Sequence, residues 1–268
     1  MVKIGWLADN PGFIGGTEVS SSILLSHIPE DFEVVYCPPN KRPPKVDIYV
    51  VQNCTQYDQR WIEELILRPV VKSIRDPYFG GDAVLRNWFL KCSDLLIFNS
   101  PLQFDRFHYQ VRAKHVFIPP PVDVTTFKEK ALPKAERHGN LFVGRVGPTK
   151  GAHLAIDWAL CNNQPLDLVG YVEMNYGRLP KNIRFLGDVP YEQMPELMGK
   201  YERFVFFPQW IESFGRVVAE AWAAGCDLLT NENIGALWWI EHNPGAIQNG
   251  AALYWEAVRG VLHDQERT

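Results

Sequence analysis

Short apolar runs alternate with segments of helical spacing along most of the chain. The first run, residues 2–8, ends in the turn-rich stretch 9–16, after which Thr17 or a close neighbour can cap a helix that contains Val19 and Ile23. The next apolar runs lie at 33–36, 48–51, 70–74, 95–98 and 116–118, and helical spacing is found at 59–67 and 83–91. Because parallel strands need long crossover connections, this alternation predicts a mostly parallel sheet covered by helices on both faces.

A second cycle of the same pattern begins near residue 140. It follows a polar, charged stretch at 125–137, which contains Pro133 and is typical of an interdomain connection. The cycle predicts strands at 141–143, 167–169, 183–186, 204–207 and 227–230, helices at 153–160, 194–201 and 216–224, and a final amphipathic helix at 251–262. Gly225 is expected to end the helix 216–224 as a C′ glycine. We therefore predict an α/β protein with two facing Rossmann-like domains.

The predicted domains are an N-terminal one at 1–135, a C-terminal one at 136–250, and a last helix at 251–268 that can pack back on the first. The 268 residues are 46% hydrophobic, which supplies a packed core and excludes a disordered chain. The formal net charge of −4 gives no reason to expect tight, non-specific nucleic-acid binding. That balance argues mildly against DNA as a partner without excluding it.

The cysteine spacing and the N-terminal residues indicate in which cellular compartment the protein is expected. The five cysteines are widely spaced and form no C-x-x-C pair, so a disulfide framework or structural zinc site is not expected. Residues 1–9 lack the pattern of a signal peptide, and no apolar run reaches the length of about 18 residues needed to span a membrane. We expect a soluble, cytoplasmic protein.

Two carboxylates in the second half, Glu212 and Glu220, are separated by seven residues. Glu212 follows a predicted strand, and Glu220 lies in the second turn of a predicted helix with Ser213 as its expected N-cap. Such a cap leaves the first amides of the helix free to bind an anion at the carboxyl end of a strand, where open α/β sheets bind ligands. These amides belong to Phe214, Gly215 and Arg216. A capped helix with two solvated carboxylates explains the same pattern.

Two other segments join a strand to a helix with glycines at the junction. In the first, Gly144 precedes Arg145, and Lys150 follows, so the two cations can converge on a phosphate, although basic loop residues are usually only solvated. In the second, the pair Gly15-Gly16 can cradle a phosphate or simply form a tight turn. Neither segment has the spacing of a P-loop or of a dinucleotide-binding fingerprint.

Taken in order, these segments resemble the retaining GT-B glycosyltransferases that carry an E-x7-E motif, the glycosyltransferase family 4-like group. The matching stretches are Gly15-Gly16-Thr17-Glu18, Ser93-Asp94 with Asn99-Ser100, Ile118-Pro119-Pro120-Pro121-Val122-Asp123 with Phe127, Gly144-Arg145 with Lys150-Gly151, and Glu212-Ser213-Phe214-Gly215 through Glu220-Ala221. The resemblance spans about residues 1–235. It implies a GT-B architecture with an acceptor-side N-terminal domain and a nucleotide-sugar-binding C-terminal domain.

By this resemblance, the chain transfers a hexose from a nucleotide-diphosphate sugar, expected to be a UDP- or GDP-sugar, with retention of configuration. Arg145 and Lys150 would neutralise the diphosphate, Glu220 would accept hydrogen bonds from the ribose, and Glu212 would hold the donor sugar. Residues Gly15, Gly16, Gly144, Ser213, Phe214, Gly215 and Arg216 would complete the donor site. No cofactor is expected, and no Asp-x-Asp pair or His/Cys cluster indicates a metal.

The N-terminal half departs from the family. Gln52-Asn53-Cys54 stands where relatives often have His-x-His, and Arg75-Asp76 stands where a His-Asp pair often follows a strand. His108 is a candidate replacement, although a surface or helix-capping role is commoner for such a histidine. Two alternatives to a glycosyltransferase therefore stay open. One is a nucleotide-sugar-binding protein without catalysis, and the other is a GT-B sugar-nucleotide epimerase. The sequence identifies neither the acceptor, for which modified DNA is not excluded, nor the oligomeric state.

Overall fold

The computed structural model describes residues 1–9, 15–75 and 83–265, and within them the chain forms two compact units. The first contains Met1–Pro121 with Asn249–Thr268, and the second contains Val122–Gln248. The sequence placed the first boundary later, after residue 135, and assigned 136–250 to the second domain. The polar stretch 125–137 lies in the second unit, where Arg137 donates from Nη1 to the carbonyl oxygen of Ala224 at 2.7 Å.

The first unit contains a six-stranded sheet in which every recorded strand pairing is parallel. Its strands are β1 (Val2–Leu7), β2 (Phe32–Cys37), β3 (Ile48–Val51), β4 (Val70–Ile74), β5 (Leu95–Phe98) and β6 (His115–Phe117), in the spatial order β2-β1-β3-β4-β5-β6. Its helices are α1 (Gly16–Ser26), α2 (Gln59–Glu63), α3 (Ala83–Cys92) and α4 (Pro101–Phe104), and a 3₁₀ turn covers Glu64–Leu67. The strands start and end within two residues of the predicted positions.

The second unit contains a five-stranded parallel sheet. Its strands are β7 (Asn140–Val143), β8 (Leu166–Val169), β9 (Ile183–Gly187), β10 (Arg203–Phe206) and β11 (Asp227–Thr230), in the order β11-β10-β7-β8-β9. The helices that follow the first unit are α5 (Val124–Glu129), α6 (Ala152–Cys161), α7 (Met194–Met198), α8 (Arg216–Ala223), α9 (Gly235–His242) and α10 (Pro244–Gln265), with 3₁₀ turns at Lys134–Glu136 and Tyr191–Gln193. The predicted α/β class with parallel sheets is confirmed.

The C-terminal part of α10 completes the core of the first unit. Trp255 is 1% exposed and packs at 6.1 Å from Trp6 and 5.9 Å from Phe32, measured between ring centroids. Its indole Nε1 donates to the carbonyl oxygen of Leu24 at 2.9 Å, so the polar atom of this buried ring is satisfied. Helix α10 begins at Pro244, earlier than the sequence predicted.

Helix α8 ends as expected from the sequence. Gly225 has a left-handed φ of +78°, its amide donates to the carbonyl oxygen of Trp222, and the Cys226 amide donates to that of Ala221. These two bonds form a Schellman motif, which requires a residue that tolerates positive φ. The following strand β11 starts directly after it at Asp227.

Candidate functional site

The order of strands in the second unit places its ligand crevice between β7 and β10. The chain continues from β7 towards β8 on one side, and returns to β10 on the other, so the loops after β7 and β10 diverge at the carboxyl edge of the sheet. Crevices of this kind are where open α/β sheets bind ligands. The two loops contact one another, since the Gln209 amide donates to the carbonyl oxygen of Thr149 at 3.0 Å.

Gly151 is required by this contact. Its φ is +73°, and a Cβ atom there would lie 1.8 Å from the carbonyl oxygen of Phe207. No side chain fits at that distance, so the first loop can approach the second only with glycine at this position. The close approach positions the neighbouring Lys150 beside the second loop.

Lys150 and Glu212 form an ion pair between these two loops. The distance from Nζ to Oε1 is 2.6 Å, and the side chains are 25% and 17% exposed. The backbone of Glu212 is fixed on both sides, because its amide donates to Asn233 and its carbonyl oxygen accepts from the Gly235 amide. The structure therefore brings together two of the three residues for which the sequence predicted a catalytic role.

The N-terminus of α8 lies directly after Glu212. Gly215 is the N-cap residue, with φ +80°, and a Cβ atom there would lie 2.8 Å from Cγ2 of Ile234. The prediction that Ser213 caps this helix is wrong, because the helix begins at Arg216 and the chain reaches it through a left-handed glycine. Phe214 is buried, and its carbonyl oxygen accepts from the Ala236 amide at 2.6 Å. The positive end of the α8 dipole therefore lies directly after Glu212, and this end of a helix favours an anion.

Glu220 lies one turn into α8 and is buried. Its Oε1 lies 2.8 Å from Arg216 Nε in an ion pair and accepts a hydrogen bond from the Tyr191 hydroxyl at 3.1 Å. Arg216 Nη2 also donates to the Tyr191 oxygen at 2.7 Å, and the guanidinium lies 5.5 Å from the centre of that ring. The three side chains thus form a closed group in which Oε1 of Glu220 makes both the ion pair and the hydrogen bond. The sequence predicted a role only for the backbone amide of Arg216, whereas in the structure its side chain contacts Glu220 and Tyr191.

Burial dominates the titration of this group. It raises the pKa of Glu220, although the charge of Arg216 and the hydrogen bond from Tyr191 oppose the shift. Burial and the neighbouring Glu220 charge also raise the pKa of Tyr191, to about 12. Tyr191 was missed by sequence reasoning. Its position in a 3₁₀ turn after β9, 29 residues before Glu220, carries no motif that could have identified it.

Arg145 lies on the other side of the loop after β7. It is 57% exposed, and its Nη1 lies 3.0 Å from Oε1 of Glu173, a residue of the loop after β8. These two loops also pack closely, because a Cβ atom at Gly170 would lie 2.1 Å from the carbonyl oxygen of Gly144. The structure thus pairs Arg145 with Glu173 and does not bring it into the ion pair of Lys150.

Gly15 and Gly16 belong to the first unit, whereas the other predicted donor-site residues belong to the second. Gly15 is the N-cap of α1, and its amide donates to Oε2 of Glu18 at 2.8 Å. That bond closes the start of α1 with a carboxylate from its own first turn. Gly12 and its neighbours at 10–14, which the sequence places in the same loop, lie outside the described residues.

Gln52, which the sequence analysis predicted to stand in place of a family histidine, belongs to a buried hydrogen-bond network. Its Nε2 donates to the hydroxyl of Tyr254 at 2.7 Å and to Oγ of Ser73 at 3.2 Å, and its Oε1 accepts from Arg75 Nε at 2.8 Å. The network joins the ends of β3 and β4 to α10. Asp76 lies outside the described residues. His108 is exposed and contacts the carbonyl oxygen of Asp105 through Nδ1 at 2.7 Å.

The described ranges contain neither a candidate membrane span nor a candidate metal-binding cluster. None of the helices there is both long and apolar enough to cross a membrane. No group of three His, Cys, Asp or Glu side chains lies close enough to hold a metal ion in the same part of the chain.

The family described as "Glycosyl transferases group 1" matches residues 123–267, more than half of the chain. The chain belongs to this family. The matched range contains Lys150, Glu212 and Glu220, and therefore includes the loops after β7 and β10 in the second unit. A search of curated proteins gave no match.

Solved glycosyltransferase structures share the fold. HepE from Anabaena, in complex with UDP and glucose, is 20% identical with a TM-score of 0.66, over 94% of this chain and 89% of that one. Its complex with UDP-glucose is 21% identical with a TM-score of 0.64, over 100% and 92%. A glycosyltransferase from Rickettsia africae is 14% identical with a TM-score of 0.63, over 98% and 93%. The predicted GT-B fold class is thereby confirmed.

Proposed function

We propose that this group 1 glycosyltransferase moves a hexose from a nucleotide-diphosphate sugar to an acceptor hydroxyl, with retention of configuration and without a metal ion. The observation that carries the proposal is the Lys150–Glu212 ion pair, which stands at the strand-order switch of the second sheet and directly before the N-terminus of α8. This combination offers a cation, an anion-binding helix start and a fixed carboxylate to one ligand.

The positive groups serve the leaving diphosphate. As the bond between the sugar and the diphosphate breaks, negative charge grows on the phosphate oxygen, and fixed positive groups lower the energy of that state. Lys150 and the α8 amides supply this stabilisation, and Arg145 joins them by leaving Glu173, since an exposed ion pair costs little to exchange. UDP is the first nucleotide to test, because HepE was solved with UDP and with UDP-glucose.

Glu220 holds the ribose. Within the described residues, its ion pair with Arg216 and its hydrogen bond from Tyr191 both end on Oε1, so Oε2 is the oxygen that a ribose hydroxyl would use. Arg216 and Tyr191 act as positioning residues, because they fix the carboxylate from one side. A hydrogen bond to a buried, fixed carboxylate is worth about 1.5–3 kcal/mol.

Glu212 orients the donor sugar and is not a nucleophile in this proposal. Lys150 neutralises its carboxylate at 2.6 Å, which lowers its reactivity towards the anomeric carbon. The acceptor oxygen bonds to that carbon on the face from which the diphosphate leaves, and the acceptor proton passes to the departing phosphate oxygen. On this scheme the second unit binds the donor, and the first unit binds the acceptor.

Titration calorimetry with UDP, GDP and ADP tests the proposal. Each of the variants Lys150→Ala and Glu220→Ala is expected to bind the preferred nucleotide roughly ten- to a hundredfold more weakly, the equivalent of about 1.5–3 kcal/mol. Lys200→Ala is the matched control, since Lys200 pairs with Glu196 on the surface of the same unit. Binding of none of the three nucleotides, or equal affinities for all four proteins, would refute the proposal.

A binding protein without transferase activity is the second candidate. The observation that favours it is the buried network around Gln52, which fills a position where relatives often have a histidine. Incubation with the preferred UDP- or GDP-sugar decides between the two. Donor hydrolysis or transfer to any acceptor excludes the inactive protein, and epimerisation of the donor without an acceptor would indicate a sugar-nucleotide epimerase instead.

A further inference from the structure

The first unit contains a cavity of about 530 Å³ that none of the proposed donor-binding residues lines. It lies between α1 and the strands β1 and β2, and it extends to the residues that follow β3. Its volume is within the range of roughly 300–1,000 Å³ that is usual for small-molecule sites. Since the cavity is formed within one unit, its chemistry can be read from that unit alone.

One face of α1 supplies hydroxyl groups to the cavity. Thr17, Ser21 and Ser22 line it; Thr17 and Ser21 are four positions apart and share one side of the helix, and Ser22 is adjacent to Ser21. Within the described part of the chain, Ser20 and Ser26 on the same helix bond to backbone carbonyls, whereas no protein partner is recorded for the hydroxyls of Ser21 and Ser22. These two groups are therefore available to a ligand.

The opposite wall is aromatic and amide in character. Tyr36 contributes ring surface and Val34 aliphatic surface from β2, and Asn53 contributes an amide after β3, whereas Trp6 borders the cavity but is 2% exposed and belongs to the core. Aromatic rings that pack on C–H surfaces, combined with hydroxyl and amide groups, match the alternating apolar and hydroxyl surfaces of a sugar.

Two carboxylates and no cation line the cavity among the described residues. Asp9 accepts from the amides of Thr55 and Gln56, and Glu18 accepts from the Gly15 amide, so both are held in place. A phosphorylated or carboxylated ligand would therefore meet like charges with no cation to offset them.

From this lining we propose that the cavity binds an uncharged, hydroxyl-rich ligand of the saccharide class and rejects the phosphorylated form of the same sugar. If the proposed function holds, on which this step rests, the ligand is the acceptor of the transfer. The acceptor would then be an uncharged saccharide rather than a sugar phosphate or a nucleic acid.

The test uses the full chain and a panel of uncharged mono- and disaccharides, each with a phosphorylated counterpart where one exists, measured by saturation-transfer NMR and calorimetry. At least one uncharged sugar is expected to bind, at least tenfold more tightly than its phosphate. Ser21→Trp, which fills the cavity, is expected to weaken that binding at least tenfold. Ser26→Trp, on the same helix but outside the cavity, should leave it unchanged.

A charge variant tests the selectivity. Ser22→Lys adds a cation to the lining and is expected to tighten binding of the sugar phosphate at least fivefold, whereas Ser26→Lys adds the same charge outside the cavity and should not. The proposal is overturned if no uncharged sugar of the panel binds with a Kd below about 10 mM. Equal binding of sugar and phosphate by the wild type, or unchanged binding by Ser21→Trp, would overturn it as well.

A UDP titration on the same proteins separates this proposal from the proposed function. Lys150→Ala is expected to weaken UDP and to leave the saccharide affinity unchanged, because the two sites are built from different units. Saccharide binding without nucleotide binding would refute the proposed function and keep the cavity proposal. Nucleotide binding without saccharide binding would do the reverse.

Discussion

Replacing Tyr191 by phenylalanine tests whether the group around Glu220 positions a ligand or only stabilises the fold. The change removes one hydroxyl, which donates to Glu220 at 3.1 Å and accepts from Arg216 at 2.7 Å. A hydrogen bond to a charged partner is worth about 1.5–3 kcal/mol. Since the 2.8 Å contact between Arg216 and Glu220 remains, we expect a loss near the lower limit, about 1.5 kcal/mol of unfolding free energy.

Tyr201 supplies a matched control for this variant. Its hydroxyl donates to Oδ2 of Asp167 at 2.6 Å, in the same unit but outside the crevice, and burial raises the pKa of both tyrosines. Tyr201→Phe is therefore expected to lower stability by a similar amount in urea denaturation. Its UDP affinity in calorimetry should stay unchanged, whereas Tyr191→Phe should weaken UDP roughly tenfold, or about 1.4 kcal/mol.

The comparison between the two variants decides the outcome. If both variants bind UDP as tightly as the wild type does, the positioning role is refuted, because the lost Tyr191 hydroxyl would then matter only to folding. A drop in UDP affinity for both variants to the same extent would show that general destabilisation, and not the orientation of Glu220, limits nucleotide binding.

Three further predictions concern packing and pH. Gly151→Ala is expected to cost more than about 1 kcal/mol of unfolding free energy in urea denaturation, because it combines positive φ with a backbone clash; an unchanged midpoint would contradict this. Trp255→Ala is expected to cost about 3–5 kcal/mol, measured in the same way, and a loss below about 1 kcal/mol would mean that α10 does not complete the core. Because burial raises the pKa of Glu220, its contribution to stability is greatest below 4.5, its ordinary value, and is lost as pH rises through the folded pKa. The free energy of unfolding of the wild type should therefore fall relative to that of Glu220→Gln as the pH rises from below 4.5 through the folded pKa. A difference between the two proteins that stays constant with pH would contradict the raised pKa of Glu220.

The central strands of the first sheet could be read from the sequence because β3, β4 and β5 are buried along their whole length. Strands β3, β4, β5 and β11 begin and end where apolar runs do. Helix α9 was missed, since its N-cap residue Ile234 makes no side-chain capping bond and its start carries no local signal. Boundaries between units were also displaced, because the polar stretch before β7 is tied to the second unit by contacts such as that of Arg137 with Ala224.

The site was predictable where its chemistry is local and not where it depends on tertiary packing. The pattern around Glu212 and Lys150 identified a crevice at the carboxyl edge of the sheet. Ser213 was the expected cap by local preference, but the approach of Ile234 imposes a left-handed glycine at 215. Tyr191 joins Glu220 only through the fold, as does Glu173 for Arg145, so neither pairing could be read from the sequence.

The most direct test of the donor site is a crystal structure of the full chain with UDP. We expect the diphosphate to contact Lys150 and the first amides of α8, with a ribose hydroxyl donating to Oε2 of Glu220 while Arg216 and Tyr191 stay on Oε1. A nucleotide bound elsewhere, or a ribose that leaves Glu220 without a ligand contact, would contradict the assignment of this crevice to the sugar donor.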